Sequence, residues 1–284
     1  MKKTALLLMI CMVFLSCKEK KAANDWGKLD LHGKVKTLIE RDYILDTTGN
    51  NKGKHLRWTE ITIFNIKGQI TERIKLDEKG DTQIKSMTLY DNKDRVSHQT
   101  TFITDELTLT TKYIYDTLHF TSVARSYKDS VAEEYIALYK YNTKWVITEV
   151  KKTIPPLEHN SKNTDLILDS RTYLYDKGNR LAQVTFTDTS KWRQVTTYSY
   201  DKEGNCVGEQ KDTVLPHQAI KIKRIFDQQN NKVEETSYES DGSIHSQKKM
   251  DYKTFDKTGN WLIQYIHWKD LGTTIVERSI VYYP

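Results

Sequence analysis

From about residue 35 onward the chain alternates apolar and polar residues with a period of two. Ile70, Ile74 and Leu76 share one parity, while Gln69, Thr71, Arg73 and Lys75 occupy the other. Near the end, Arg278, Ile280 and Tyr282 alternate with Ser279, Val281 and Tyr283. Thr, Val, Ile, Tyr and Phe dominate these stretches, and such residues suit a pleated, half-buried surface. Val35 to Asp42 has mixed signals, but its β-branched residues and Gly33 favour a strand over a short helix. No other segment beyond the first 17 residues reads as helix.

The strands are punctuated by one returning phrase: an aromatic residue, then Asp or Asn, a few polar residues, and often Gly-Asn. It occurs at Phe64-Asn65, Tyr90-Asp91, Tyr115-Asp116, Tyr141-Asn142, Tyr175-Asp176, Tyr200-Asp201, Phe226-Asp227 and Phe255-Asp256. The Asp/Asn positions step by 26, 25, 26, 34, 25, 26 and 29 residues. A period of this size marks repeated supersecondary units. Each unit reads as a β-hairpin. The short carboxylate or amide favours the first position of a turn. A residue that tolerates positive φ, such as Gly204 or Gly259, then closes it. Gly178 with Asn179 follows Asp176 one residue early, and Asp94 and Asn230 stand where Gly is absent. Secondary turns fall mid-period, at Asp77 to Gly80 and at Ser240 to Gly242. Eight such units predict roughly 16 antiparallel strands in an all-β fold, a long curled sheet of hairpins zipped edge to edge; a twisted sheet of that length curls or closes on itself. Ile154 to Ser170 breaks the rhythm with Pro155, Pro156 and a polar run, and reads as an inserted loop.

Residues 1–17 stand apart. Lys2 and Lys3 precede an apolar run from Thr4 to Leu15, too short for a comfortable membrane span. The run ends on Phe14-Leu15-Ser16-Cys17 and resembles a bacterial lipoprotein signal, which implies lipid on Cys17. Residues 18–25 then read as a solvated tether, and 26–284 as the β-hairpin domain. The expected location is the cell envelope, anchored by lipid to the outer membrane, facing either the periplasm or the exterior. Loss of Cys11 with the signal and lipidation of Cys17 leave Cys206 alone among the 3 cysteines, so no internal disulfide is available. Cys206 reads as a small packing residue. Net charge is +6 for the whole chain and +4 once Lys2 and Lys3 are removed, with both signs interleaved throughout. That is a solvated surface and not a nucleic-acid footprint.

The phrase Tyr-x-Tyr-Asp-x-x-Gly-Asn, seen best at Tyr198 to Asn205, Tyr173 to Asn179 and Phe255 to Asn260, resembles the YD repeat of the Rhs and wall-associated-protein families. The opening Leu31 to Leu38 and the closing Gly259-Asn260-Trp261 and Glu277 to Tyr283 resemble small Bacteroidetes lipoproteins with degenerate copies of this repeat. The resemblance implies a spiralling sheet of stacked hairpins. Large Rhs proteins use such sheets as a shell around a toxin; this chain has far fewer repeats.

No catalytic constellation stands out. The eight histidines stand singly, without metal-ligand spacing. No cofactor is indicated. The turn residues Asp91, Asp116, Asp176, Asp201, Gly204, Asp227, Asp256 and Gly259 are assigned structural roles, because one Asp per hairpin does not converge the 6–8 oxygens that calcium takes. The tyrosine pairs are expected to pack across strands. Trp58, Trp145, Trp192 and Trp268 are the candidates for ligand contact, with Trp261 assigned to the core. These features predict a non-enzymatic, lipid-anchored protein whose β-repeat surface binds or scaffolds a glycan or an envelope protein. An immunity or delivery partner of a contact-dependent toxin system and an envelope glycan hydrolase are the alternatives. A transmembrane barrel shares the alternation, but charges occupy both parities, as at Glu72 and Arg73.

Overall fold

The computed structural model describes residues 24–46, 53–104, 107–129, 132–154, 166–190, 192–213 and 219–284. The signal, Cys17 and most of the tether lie outside the described residues. One short helix, α1 (Asp25–Lys28), precedes eighteen strands. These are β1 (Val35–Asp46), β2 (Gly53–Phe64), β3 (Ile70–Leu76), β4 (Thr82–Tyr90), β5 (Val96–Ile103), β6 (Leu107–Asp116), β7 (Thr121–Lys128), β8 (Ala132–Tyr141), β9 (Ile147–Ile154), β10 (Leu166–Tyr175), β11 (Leu181–Asp188), β12 (Arg193–Tyr200), β13 (Cys206–Thr213), β14 (Ala219–Phe226), β15 (Lys232–Tyr238), β16 (Ile244–Phe255), β17 (Trp261–Trp268) and β18 (Gly272–Tyr282). The ambiguous Val35 to Asp42 is strand, within β1. The loop expected over 154–170 is shorter, since Ile154 ends β9 and Leu166 begins β10.

Each strand pairs antiparallel with its sequence neighbours, and β18 pairs with β1, from Val35 against Tyr282 to Leu45 against Thr273. The expected curled sheet is therefore a closed, up-and-down 18-stranded barrel. Closure leaves no strand edge unpaired, which an open sheet of this length cannot achieve. The cross-strand register fixes its size. Followed once around the wall, the partners return to β1 displaced by about 20 residues. With strands about 4.8 Å apart and residues about 3.3 Å apart, the strands tilt by about 37° and the backbone cylinder is about 35 Å across. A barrel this wide is not filled by its own side chains.

The turns explain the repeat. The eight aromatic–Asp/Asn phrases are the eight hairpin turns of one rim, which also carries α1 and the chain end; we call it the near rim. In seven of them the first residue donates its N–H to the carbonyl of the fifth and accepts the N–H of the fourth, as in Asp256 N to Asn260 O at 2.9 Å and Gly259 N to Asp256 O at 3.1 Å. The side chain of the first residue accepts further backbone N–H groups, as Asp227 Oδ1 does from Gln229 and Asn231. The fourth residue has positive φ: Gly68, Asp94, Trp145, Asn179, Gly204, Asn230 and Gly259. At the fifth turn the left-handed residue is Asn179 and not Gly178. The Asp116 turn is the exception, with the positive φ moved to Phe120.

Alternation divides the wall into two faces. The face carrying the aromatic residue before each near-rim turn also carries Ser122, Ala124, Ser126 and Ala137, all 5% exposed or less. The opposite face carries Leu89, Ile114, Leu174 and Ile225, all 54–63% exposed. Side chains converge on the concave side of a closed sheet and splay on the convex side, so the first face is the inner wall. Among the described residues, the hydrophobic cluster is a small one at the near rim: Trp26, Leu31, Val35, Leu38 and Phe64. Trp26 donates its indole N–H to Val35 O at 2.8 Å. Gly68 adopts φ +80°, and a Cβ there would lie 2.5 Å from the Trp26 ring. Gly204 has φ +92° but nothing within 4 Å of such a Cβ. Gly68→Ala is therefore expected to destabilise by about 2 kcal/mol or more, and Gly204→Ala by only about 1 kcal/mol, in chemical denaturation. Equal losses would contradict the packing of α1 against the rim.

Candidate functional site

Among the described residues the inner wall is the enclosed surface, and its lining is set by hairpin parity. Tyr113 and Tyr115, Tyr139 and Tyr141, Tyr173 and Tyr175, and Tyr198 and Tyr200 all face inward, from β6, β8, β10 and β12. The lower tyrosine of the repeat has a defined job. Tyr90, Tyr115, Tyr175 and Tyr200 each donate the hydroxyl to the carbonyl that opens the preceding strand: Ile70, Val96, Ile147 and Leu181, at 2.7–2.9 Å. Tyr252 does the same to Lys232 O at 3.0 Å. Tyr141 instead meets the Ser122 hydroxyl at 2.9 Å. Each contact stitches one hairpin to the one before it. Burial raises these phenols; Tyr90, Tyr115 and Tyr252 are pushed up to about 12. Of the expected ring packing between tyrosine pairs, Tyr113 against Tyr139, with ring centres 6.3 Å apart, is an instance.

Basic residues occupy many inward aromatic faces. Arg95 lies 4.1 Å from the Tyr115 ring centre, Arg180 4.7 Å from Tyr200, Lys152 3.7 Å from Tyr135 and Arg278 3.4 Å from Trp261. Such contacts fix the rings, and Arg278 is itself buried, with its side chain only 7% exposed.

On β13 to β16 the lining becomes ionic. Glu209 binds Lys211 at 3.1 Å and Arg224 at 2.7 Å. Arg224 also reaches Glu235 at 2.9 Å, and Glu235 accepts from Lys232 at 3.0 Å and Lys248 at 2.7 Å. Burial by itself pushes the Glu235 carboxyl up, but Lys248, Lys232 and Arg224 prevail and hold it at about 2. Glu40 and Glu60 face each other across β1 and β2, yet each is engaged by an arginine: Arg278 at 3.0 Å and Arg73 at 3.1 Å.

The four candidate tryptophans do not form one site, and none is fully exposed. Trp145 is the left-handed turn residue after Asn142 and packs on Tyr141, Phe120 and Tyr115. Trp192 closes the Asp188 turn at the far rim, edge-on to Phe186. Trp58 and Trp268 line the inner wall singly, under Lys75 at 5.4 Å and Lys248 at 4.9 Å. Trp261 packs beneath Arg278 and beside Tyr252. The turn residues Asp91, Asp176, Asp201, Gly204, Asp227, Asp256 and Gly259 hold the turns as assigned, and Asp116 caps the variant turn. Among the described residues no three metal-ligating side chains converge. Cys206 is half-buried with its thiol raised by burial, and it donates to Gly208 O. The ionic lattice was missed in the sequence. Its only trace is same-parity acid and base on successive strands, Glu209 and Lys211 against Arg224 and Glu235, which becomes visible once the register is known.

No protein-family profile and no curated protein matches the chain. Among solved structures, one similar chain is a porin-like protein from Bacteroides uniformis ATCC 8492, at 10% identity and a TM-score of 0.42, covering 92% of this chain and 100% of that one. The barrel rests on the strand pairing itself and not on that similarity.

The lattice has a pH signature. Glu235 is lowered from 4.5 to about 2, so its contribution is present above pH 4.5 and is lost as pH falls toward 2. Glu235→Gln is expected to lower stability at pH 7 and to flatten the acid limb of the stability curve between those values. An unchanged acid limb would remove Glu235 from the account.

Proposed function

We infer that this chain is a lipid-anchored envelope protein whose closed barrel stands in water and presents its inner wall, without catalysis, to an extended glycan or an envelope partner. The observation that carries the reading is the contrast between the two faces. The lumen is wide, aromatic and cationic, and it offers hydrogen-bond donors from Lys and Arg at many points along its wall. The outer wall carries charge at mid-height, where a lipid-facing barrel is apolar: Lys85, Lys112, Arg125, Lys151, Lys221, Lys223 and Lys249. A basic residue on the lipid face opposes insertion by about 2–4 kcal/mol near the midplane. Seven of them together exceed the whole stability of an ordinary domain, about 5–15 kcal/mol. Partial pairing, as in Lys85 with Glu72 at 2.7 Å, reduces this but does not reverse it. The anchor is then the lipid on Cys17, and the repeats serve as a scaffold, in keeping with their resemblance to YD repeats.

The test uses the lipoprotein extracted from membranes and freed of its acyl chains enzymatically. It is expected to remain in detergent-free buffer, to retain soluble envelope polysaccharide or peptidoglycan fragments, and to return them uncleaved. Precipitation without detergent would argue for a membrane-embedded barrel, and shortened glycan products would argue for a hydrolase.

A further inference from the structure

The two rims differ, and the geometry points to the near rim as a surface that docks onto a lipid bilayer; we propose that it seats in the headgroup layer, with the barrel standing upright on the membrane. This rests on the lipid-anchor reading and adds an orientation to it. Four observations carry it. On the outer wall, one step inside the near-rim turns, Leu89, Ile114, Leu174, Ile225 and Val281 recur at equivalent places, at 52–63% exposure. Two turn tips add Ile66 and Leu118, at 53% and 79%. The tips also carry a circle of exposed lysines: Lys67, Lys93, Lys144, Lys177, Lys202 and Lys257. Lys67 and Lys202 pair with Asp94 and Glu203, while the other four make no ion pair among the described residues. The turn acids behind these tips accept backbone N–H groups, as at Asp176 and Asp256, and keep their charge one step behind the lysines.

A circle of apolar side chains under long amines is the arrangement that buries stems in the acyl boundary and leaves charge at the phosphates. The far rim is more acidic: its described turns hold eight acids, among them Glu78, Asp81, Glu239 and Asp241, against Lys79 and Lys269, whereas the near-rim turns hold eight acids against their six lysines. The chain itself selects the same side. Asn24 and Asp25 lie against the near-rim turn at Gly68, with Asp25 N donating to Gly68 O at 3.0 Å. From Cys17 to Asn24 the chain reaches at most about 24 Å when fully extended, so lipid on Cys17 keeps this rim within that distance of the bilayer.

The experiment reconstitutes the full lipoprotein into vesicles of phosphatidylcholine and phosphatidylglycerol that contain brominated acyl chains. Leu118→Trp places a reporter on the near rim, and Leu271→Trp places one on the far rim, where Leu271 is 74% exposed. The docked orientation predicts severalfold stronger quenching of the added fluorescence at 118 than at 271. It also predicts that Leu89→Asn, Ile114→Asn, Leu174→Asn and Ile225→Asn, combined with Leu118→Trp, restore the signal while the protein still floats with the vesicles. Flotation with no quenching at either reporter overturns the docking and leaves the anchor standing. Equal quenching at both overturns it in favour of a spanning barrel. Failure to float overturns the anchor on which the docking rests.

Discussion

Hydrogen bonding on both edges of every strand is the constraint from which the rest follows, and the β18–β1 seam completes it. Residues from the two ends of the chain meet there, Val35 against Tyr282 and Glu40 against Arg278. Asn260 locks the seam from the side. Its amide donates to His32 O at 2.8 Å and to the Tyr282 hydroxyl at 2.7 Å, and its carbonyl accepts His32 N–H at 2.7 Å. The Tyr283 hydroxyl then reaches Phe64 O on β2 at 2.5 Å. Closure at this register sets the tilt and the diameter, and the diameter forbids a conventional core. The wall is held by its ladders, by half-buried side chains over small residues such as Ala124 and Ser126, and by tyrosine hydroxyls that link each hairpin to the last. One such hydrogen bond contributes on the order of 1 kcal/mol, but four recur from the tyrosine just before the turn Asp, and Tyr252 supplies a fifth from three residues before Phe255. That explains why the phrase prefers Tyr before Asp: Phe packs there, but it cannot tie two hairpins.

The same closure separates two chemistries. Inward positions combine aromatic faces with cations laid over them and a lattice of acids and bases. Outward positions combine Thr, Gln and short ion pairs such as Glu149 with Lys140 and Lys151. A buried pair tolerates little unpaired charge, and the lattice around Glu235 and Arg224 satisfies that condition by mutual pairing.

Much of the fold was legible because it is local. An Asp at the head of a turn and a left-handed residue at its fourth place are decided within five residues, and the alternation between turns is decided within eight. What was not legible is long-range. Whether a sheet of hairpins curls or closes depends on a register summed around the whole wall and on a seam between residues over two hundred apart in sequence. The strand count rose from about 16 to 18 because β1 and β18 belong to no repeat phrase. The tryptophans misled for a local reason. Trp145 was read as a surface aromatic, but the turn needs a left-handed residue where Gly is absent, and Trp145 fills that place while packing on its neighbours. Helix α1 straddles the expected boundary between tether and domain at residues 25 and 26, and it is not legible in the sequence because four residues carry no periodicity. The ionic lattice needs cross-strand partners that a linear pattern does not name.

The most direct test of the closed wall is a cross-link at its seam. Ile39 and Ser279 are cross-strand partners on β1 and β18, close enough for a disulfide. In the double variant Ile39→Cys/Ser279→Cys, mass spectrometry under oxidising conditions is predicted to find a quantitative intramolecular bridge between the two positions, with β-sheet content unchanged and thermal stability raised. Free thiols or only intermolecular bridges at these positions would mean that the ends of the sheet do not meet, and the lumen would not exist.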